Sequence, residues 1–175
     1  MTIKEIDKLV KPILSKRKYD HSRRTAELAK QLAKTYGASQ KKAVKAALLH
    51  DVGYFIGRSK KDRSLSHAGI SARYAKRIGI KDKSVLSAIE WHTVGQPGLD
   101  TLGKIIFLAD GIEPGRKFPM VDIIRRLAFK DLDAAILMFI QVSRTYLHQK
   151  GKRMSTHTIQ MRDEIVKKRK VNGVR

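Results

Sequence analysis

At 175 residues, 42% of them hydrophobic, the chain is long enough to form one domain, 1–175, around an ample core. It has no cysteine, which excludes disulfides, thiol catalysis and thiolate-bound zinc, and its longest apolar run, 134–140, is far too short to span a bilayer. Lys and Arg number 38 against 16 Asp and Glu, and the resulting net charge of +22 points to an anionic substrate or partner.

The opening Met1-Thr2-Ile3-Lys4-Glu5 has no basic start followed by an apolar stretch and a cleavage site, so the expected location is the cytoplasm. Ile3, Ile6, Leu9, Val10, Ile13 and Leu14 form a first helical stripe. Ala26, Leu28, Ala29, Leu32, Ala33 and Tyr36 form a second that stops at Gly37. Ser39 is placed to cap a third helix, carrying Ala43, Val44, Ala47 and Leu48 and ending near His50. Residues 53–63 read as a polar loop, and Ser66 as the cap of a helix from about His67 to Gly79. Val85, Leu86, Ala88 and Ile89 lead to His92, after which Gly95-Gln96-Pro97-Gly98 breaks the chain.

Thr101 is the expected cap of a helix with Leu102, Ile105, Ile106 and Ala109 on one side and Asp110 near its end. Glu113-Pro114-Gly115-Arg116 is a second breaker, Pro119 suits a helix start, Asp131 suits the cap of a long helix through Tyr146, and Ser155 or Thr156 that of a final basic helix. No strand alternation interrupts this pattern, which predicts an all-α fold. Lys41-Lys42, Lys60-Lys61 and Lys81 read as charges that solvate helix surfaces. The denser block Lys167-Lys168-Arg169-Lys170, within a basic tail of about 166–175, reads as a disordered terminus or a weak, non-specific nucleic-acid contact.

His50 and Asp51 follow the apolar run Ala46-Ala47-Leu48-Leu49, and His21, His67, His92 and Asp110 also lie beside helical patterns. An imidazole and a carboxylate at the buried end of a helix are costly to desolvate unless something compensates. A divalent cation does so with nitrogen and oxygen ligands. One ion would not need six ligands. Two ions bridged by Asp51 and a water would use them all and keep positions open for substrate oxygens. His148 and His157 are left as surface residues, and Trp91 and Tyr74 as core or groove-wall residues.

The ordered series His21, His50-Asp51, His67, His92 and Asp110 resembles the HD-domain superfamily of metal-dependent phosphohydrolases. Within it, His92-Thr93-Val94-Gly95-Gln96-Pro97-Gly98 and the stretch from Lys104 through Asp110-Gly111-Ile112-Glu113-Pro114-Gly115-Arg116 resemble the YqeK-type symmetrical diadenosine tetraphosphate hydrolases, from about Tyr19 to Glu164. The resemblance implies a helical bundle with a central dinuclear site, the metal-site core spanning about 19–116, and hydrolysis of diadenosine tetraphosphate to two ADP. It also implies two divalent transition-metal ions, iron first and manganese next. His21, His50, Asp51 and Asp110 would hold one ion, and Asp51 would bridge to a second held by His67 and His92. Asp51 is thus the central catalytic candidate.

Cations are needed for the charge that develops on the leaving phosphate, and Lys104, Arg116 and Lys117 are the candidates, ahead of Arg23 and Arg24. The family usually has a lysine where Tyr54 stands and commonly an arginine where Gln96 stands, so both positions are expected beside substrate phosphates. These departures keep open an alternative, hydrolysis of another nucleotide or a cyclic dinucleotide. A non-catalytic basic module that binds nucleic acid would not need the ligand series. A homodimer is compatible with the sequence.

Overall fold

The computed structural model describes residues 1–56, 63–171 and 173. Among them are ten helices: α1 (Ile3–Val10), α2 (Lys16–Thr35), α3 (Gln40–Leu49), α4 (Gly53–Ile56), α5 (Arg63–Arg77), α6 (Lys83–Trp91), α7 (Thr101–Ile112), α8 (Val121–Ala128), α9 (Leu132–Gln149) and α10 (Thr156–Val171). No strand occurs among the described residues, in agreement with the all-α expectation. No described helix is long and apolar enough to cross a membrane.

Caps set several boundaries. The Thr2 hydroxyl accepts from the Glu5 N–H, while the Glu5 carboxylate accepts from the Thr2 N–H at 2.7 Å, a reciprocal pair that opens α1. Ser15, Ser39, Asp82, Asp100 and Asp131 each accept a first-turn N–H of the following helix. Four expectations shift. Asp100, not Thr101, caps α7, because its carboxylate reaches the Gly103 N–H at 2.7 Å. Helix α5 begins at Arg63, ahead of Ser66. Helix α8 begins at Val121 after Met120, whose φ of 69° stops helical continuity with Pro119. The expected loop opens with the short helix α4, and the remainder, 57–62 with Lys60 and Lys61, lies outside the described residues.

The expected final basic helix is α10, and it runs through the basic block to Val171, so the disordered reading of the tail does not hold that far. Met161 and Ile165 anchor this helix in the core, Lys168 pairs with Glu164, and Arg169 reaches Asp131 at 2.6 Å. Residues 172, 174 and 175 lie outside the described set.

Buried residues from Ile6 to Ile165 form one continuous cluster. At its centre is α7, apolar around most of its circumference and packed against α2, α3, α6 and α9. Helix α3 buries Ala43, Ala46, Ala47, Leu48 and Leu49, and its small residues allow close approach to α2. This packing brings the C-terminal ends of α3, α6 and α7 together with the early turns of α2 and α5.

Candidate metal centre

His50 and His92 are built alike. Each follows directly on a helix, α3 or α6, and each Nδ1–H donates to the carbonyl three residues back: Ala47 at 2.6 Å and Ile89 at 2.7 Å. A carbonyl only accepts, so the proton is fixed on Nδ1 and the Nε2 lone pair is aimed inward. On α2, His21 has the Glu113 carboxylate as its Nδ1 partner at 3.1 Å, which orients its Nε2 in the same way.

The six expected ligands converge. His21 Nε2 lies 3.2 Å from His50 Nε2 and 2.9 Å from Asp110 Oδ1. Asp51 Oδ2 is 3.6 Å from His21 Nε2 and 3.4 Å from His50 Nε2. On the other side, His67 Nε2 and His92 Nε2 are 3.0 Å apart and face Asp51 Oδ1 at 3.3 and 3.8 Å. One oxygen of Asp51 thus faces each histidine pair. All four histidines and Asp51 are buried.

This donor set fits metal. Two inward Nε2 atoms 3.2 Å apart need a cation between them, a shared proton or a metal ion, and a metal ion satisfies the carboxylates as well. Separations of about 3 to 4 Å are those of donors gathered around an ion at about 2.0–2.2 Å. Either His21, His50 and Asp110 or His50, Asp51 and His92 could hold an ion.

Electrostatics make the same demand. Burial alone would lower the His50 pKa, but the Asp51 carboxylate outweighs it and pushes the group up to about 8. Burial and the neighbouring His50 push His92 down to about 3. Despite burial, Asp51 and Asp110 are held well below the usual carboxylate range, Asp51 chiefly by His50 and Asp110 chiefly by its bond with His21. Asp51 and Asp110 thus stay ionised and His92 stays neutral, the protonation states in which carboxylate and imidazole bind a cation.

Local sequence explains the placement. A Cβ at Gly53 would lie 2.1 Å from the His67 carbonyl oxygen, so only glycine lets the chain after Asp51 run against α5. The Gly53 N–H donates to Ser71 Oγ at 2.9 Å and fastens that contact. At Gly115 a Cβ would lie 2.5 Å from the Arg24 guanidinium, and its absence leaves Arg24 room to reach Glu113.

The remaining candidates divide. Arg116 is at the cluster, donating to Asp110 Oδ1 at 2.8 Å and to the Asp110 carbonyl at 2.9 Å. Tyr54 lies flat on His67, with ring centroids 3.9 Å apart and an interplanar angle of 17°. Burial, reinforced by the charges of Asp51 and Asp110, pushes its hydroxyl up to about 12. Gln96 is half-buried and Lys117 exposed. Lys104 is not brought to the cluster: its ammonium is bound to Asp133 on α9 at 2.7 Å, about six residues before Asp110 on α7 and so roughly 9 Å away along the axis. Arg23 pairs with Asp7 instead. His148 is exposed, and His157 is an exposed residue whose ring tilts against Trp91.

Two further residues stand at the cluster that are not among the candidate ligands or cations. Glu113 binds His21 and is clamped by Arg24, with Arg24 Nε to Glu113 Oε2 at 2.5 Å. Lys18 donates to Asp51 Oδ2 at 2.7 Å. Lys18 is signalled in the sequence only by its spacing, three residues before His21, whereas Glu113 stands three residues after Asp110 within the family-like segment Glu113-Pro114-Gly115-Arg116.

This helical scaffold and its histidine–aspartate cluster define a class, and the HD-domain family model matches residues 19–115. The chain belongs to the HD-domain family. It is 37% identical to the symmetrical bis(5'-nucleosyl)-tetraphosphatase of Halalkalibacterium halodurans, covering 93% of this chain and 96% of that protein. It is also 36% identical to the Bacillus subtilis protein of the same name, over 81% and 86% of the two chains. The crystal structure of a predicted HD superfamily hydrolase involved in NAD metabolism, from Clostridium acetobutylicum, superposes with a TM-score of 0.86 at 32% identity, covering 96% of this chain and 98% of that one.

Proposed function

We propose that the chain is a phosphoanhydride hydrolase that cleaves diadenosine tetraphosphate symmetrically into two ADP. The observation that carries this reading is the division of Asp51, one oxygen toward His21 and His50 and the other toward His67 and His92, in a chain so similar to symmetrical tetraphosphatases. His21, His50, Asp51 and Asp110 would hold one divalent ion, and Asp51, His67 and His92 a second. Iron is the first choice and manganese the next, since histidine and carboxylate ligands without thiolate accept both. Such a pair screens the charge of a polyphosphate and lowers the pKa of water toward neutrality.

The protein's own residues do the rest. Glu113 and the Ala47 and Ile89 carbonyls hold the imidazole rings in one tautomer. Arg116, tied to Asp110 and 42% exposed, offers positive charge at the mouth of the cluster, where the β-phosphate of the leaving ADP would separate. Tyr54 forms a neutral part of the wall, and Gln96 and Lys117 would meet the substrate beyond the cluster. We infer a cytoplasmic role on a nucleotide pool. The neutral ring of Tyr54 against His67 favours a second reading, hydrolysis of a different nucleotide, because it supplies no phosphate-binding charge.

Chromatography of products after incubation with a nucleotide panel separates the two. ADP as the sole product of diadenosine tetraphosphate supports the first reading. A different best substrate, with that dinucleotide untouched, replaces it by the second.

A further inference from the structure

Lys18 precedes His21 by one turn of α2, and its ammonium has two partners in the cluster wall. It donates to Asp51 Oδ2 at 2.7 Å and lies 4.1 Å from the centroid of the Tyr54 ring. Tyr54 is stacked in turn on His67, so the carboxylate and the aromatic face fix the position of the ammonium from two sides. The Lys18 side chain is nevertheless 25% exposed, whereas that of Asp51 is 4% exposed.

An ammonium carries three protons. One is directed to Asp51 and one faces the ring, which leaves a third for the solvent side. Its location is unfavourable for a purely structural cation, because a positive charge beside a site for cations weakens their binding. The arrangement gains where the same ammonium meets an anion arriving over the cluster. Arg24 is committed to Glu113 and Lys104 to Asp133, so neither serves that side.

We propose that Lys18 is a substrate-binding residue of this site, held by Asp51 and Tyr54 so that its ammonium takes a phosphate oxygen of the substrate at the mouth of the cluster. The proposal rests on the phosphohydrolase reading for the identity of the anion. It assigns the missing phosphate-binding charge near Tyr54 to α2 rather than to the chain that follows Asp51.

The test compares manganese-loaded wild-type protein with Lys18→Met, which keeps the apolar stem, and with Lys18→Arg, which keeps the charge. Calorimetric titration with tripolyphosphate should show binding weakened on the order of tenfold to a hundredfold in Lys18→Met, the range for one charge-assisted hydrogen bond. Lys18→Arg should recover most of it. Metal content should be unchanged, and KM for the cleaved nucleotide should rise more than kcat falls. Unchanged tripolyphosphate affinity would overturn the proposal, as would loss of metal in parallel with activity, which would confine Lys18 to supporting Asp51. Should Lys18→Met not fold, Lys18→Gln takes its place in the same titration, with the same weakening expected and the same unchanged affinity counting against the proposal. Lys18-dependent tripolyphosphate binding in a protein that fails to cleave diadenosine tetraphosphate would retain this proposal and discard that substrate.

Discussion

Replacing Glu113 by Gln tests whether the cluster depends on its outer hydrogen bonds. Glu113 is only 2% exposed, and its carboxylate accepts from His21 Nδ1–H at 3.1 Å, from Arg24 Nε–H at 2.5 Å and from the Gly115 N–H at 2.6 Å. In Glu113→Gln the amide oxygen still accepts from His21, but the charge that makes this imidazole a better donor to a cation is gone, and an NH2 group faces the other donors. Loss of such a partner lowers metal affinity by about tenfold to a hundredfold, or roughly 1.4 to 2.8 kcal/mol. The effect should fall on the ion beside His21 and spare the one beside His67 and His92, whose rings have other supports. Calorimetric titration of metal-free protein with manganese, checked by circular dichroism, resolves the two steps. Equal weakening of both steps, or none in either with the fold intact, would refute the reasoning.

The same residue predicts a pH effect. Burial would raise the Glu113 pKa, but its bond with Arg24 prevails and holds it below the ordinary 4.5. A depressed native pKa contributes stability above the unfolded value that is lost as pH falls, so wild-type Tm should drop more than that of Glu113→Gln between about pH 6 and about pH 3.5. Gly53→Ala should destabilise by about 1–3 kcal/mol in chemical denaturation and reduce metal content, since its Cβ would meet the His67 carbonyl oxygen at 2.1 Å. A normal midpoint and full metal content would show that the close approach is dispensable. Arg116→Ala should lower kcat/KM by on the order of tenfold to a thousandfold while exposed His148→Ala leaves it near wild type. Similar losses in both would locate the site wrongly.

The helical fold and the six clustered residues were legible because two independent signals coincide there. Apolar periodicity marks helix faces, and histidines or carboxylates at the ends of those faces have no inexpensive buried state without a cation. The roles of Lys18 and Glu113 were not: Lys18 is one of many charged residues, Glu113 stood out only as part of the Glu113-Pro114-Gly115-Arg116 segment, and only the packing of α2 against α3 and α7 reveals their partners. Lys104 misled for the converse reason: its spacing to Asp110 is visible, whereas Asp133 beside it belongs to a later helix. The cap of α7 was read one residue late, at Thr101, because both residues suit the position and only the bond from the Gly103 N–H to the Asp100 carboxylate identifies which one accepts. A final basic helix was legible but not how far it runs: of the two readings of the tail, the disordered one gives way as far as Val171, because Met161, Ile165 and the ion pair to Asp131 carry the helix through it.

Elemental analysis of purified protein and three variants tests the division of Asp51 between two ions most directly. Wild type should carry about two transition-metal ions per chain, His21→Ala and His92→Ala about one each, and Asp51→Ala almost none, because only Asp51 serves both subsites. Two ions retained in Asp51→Ala, or a single ion in wild type lost equally in both histidine variants, would contradict the account.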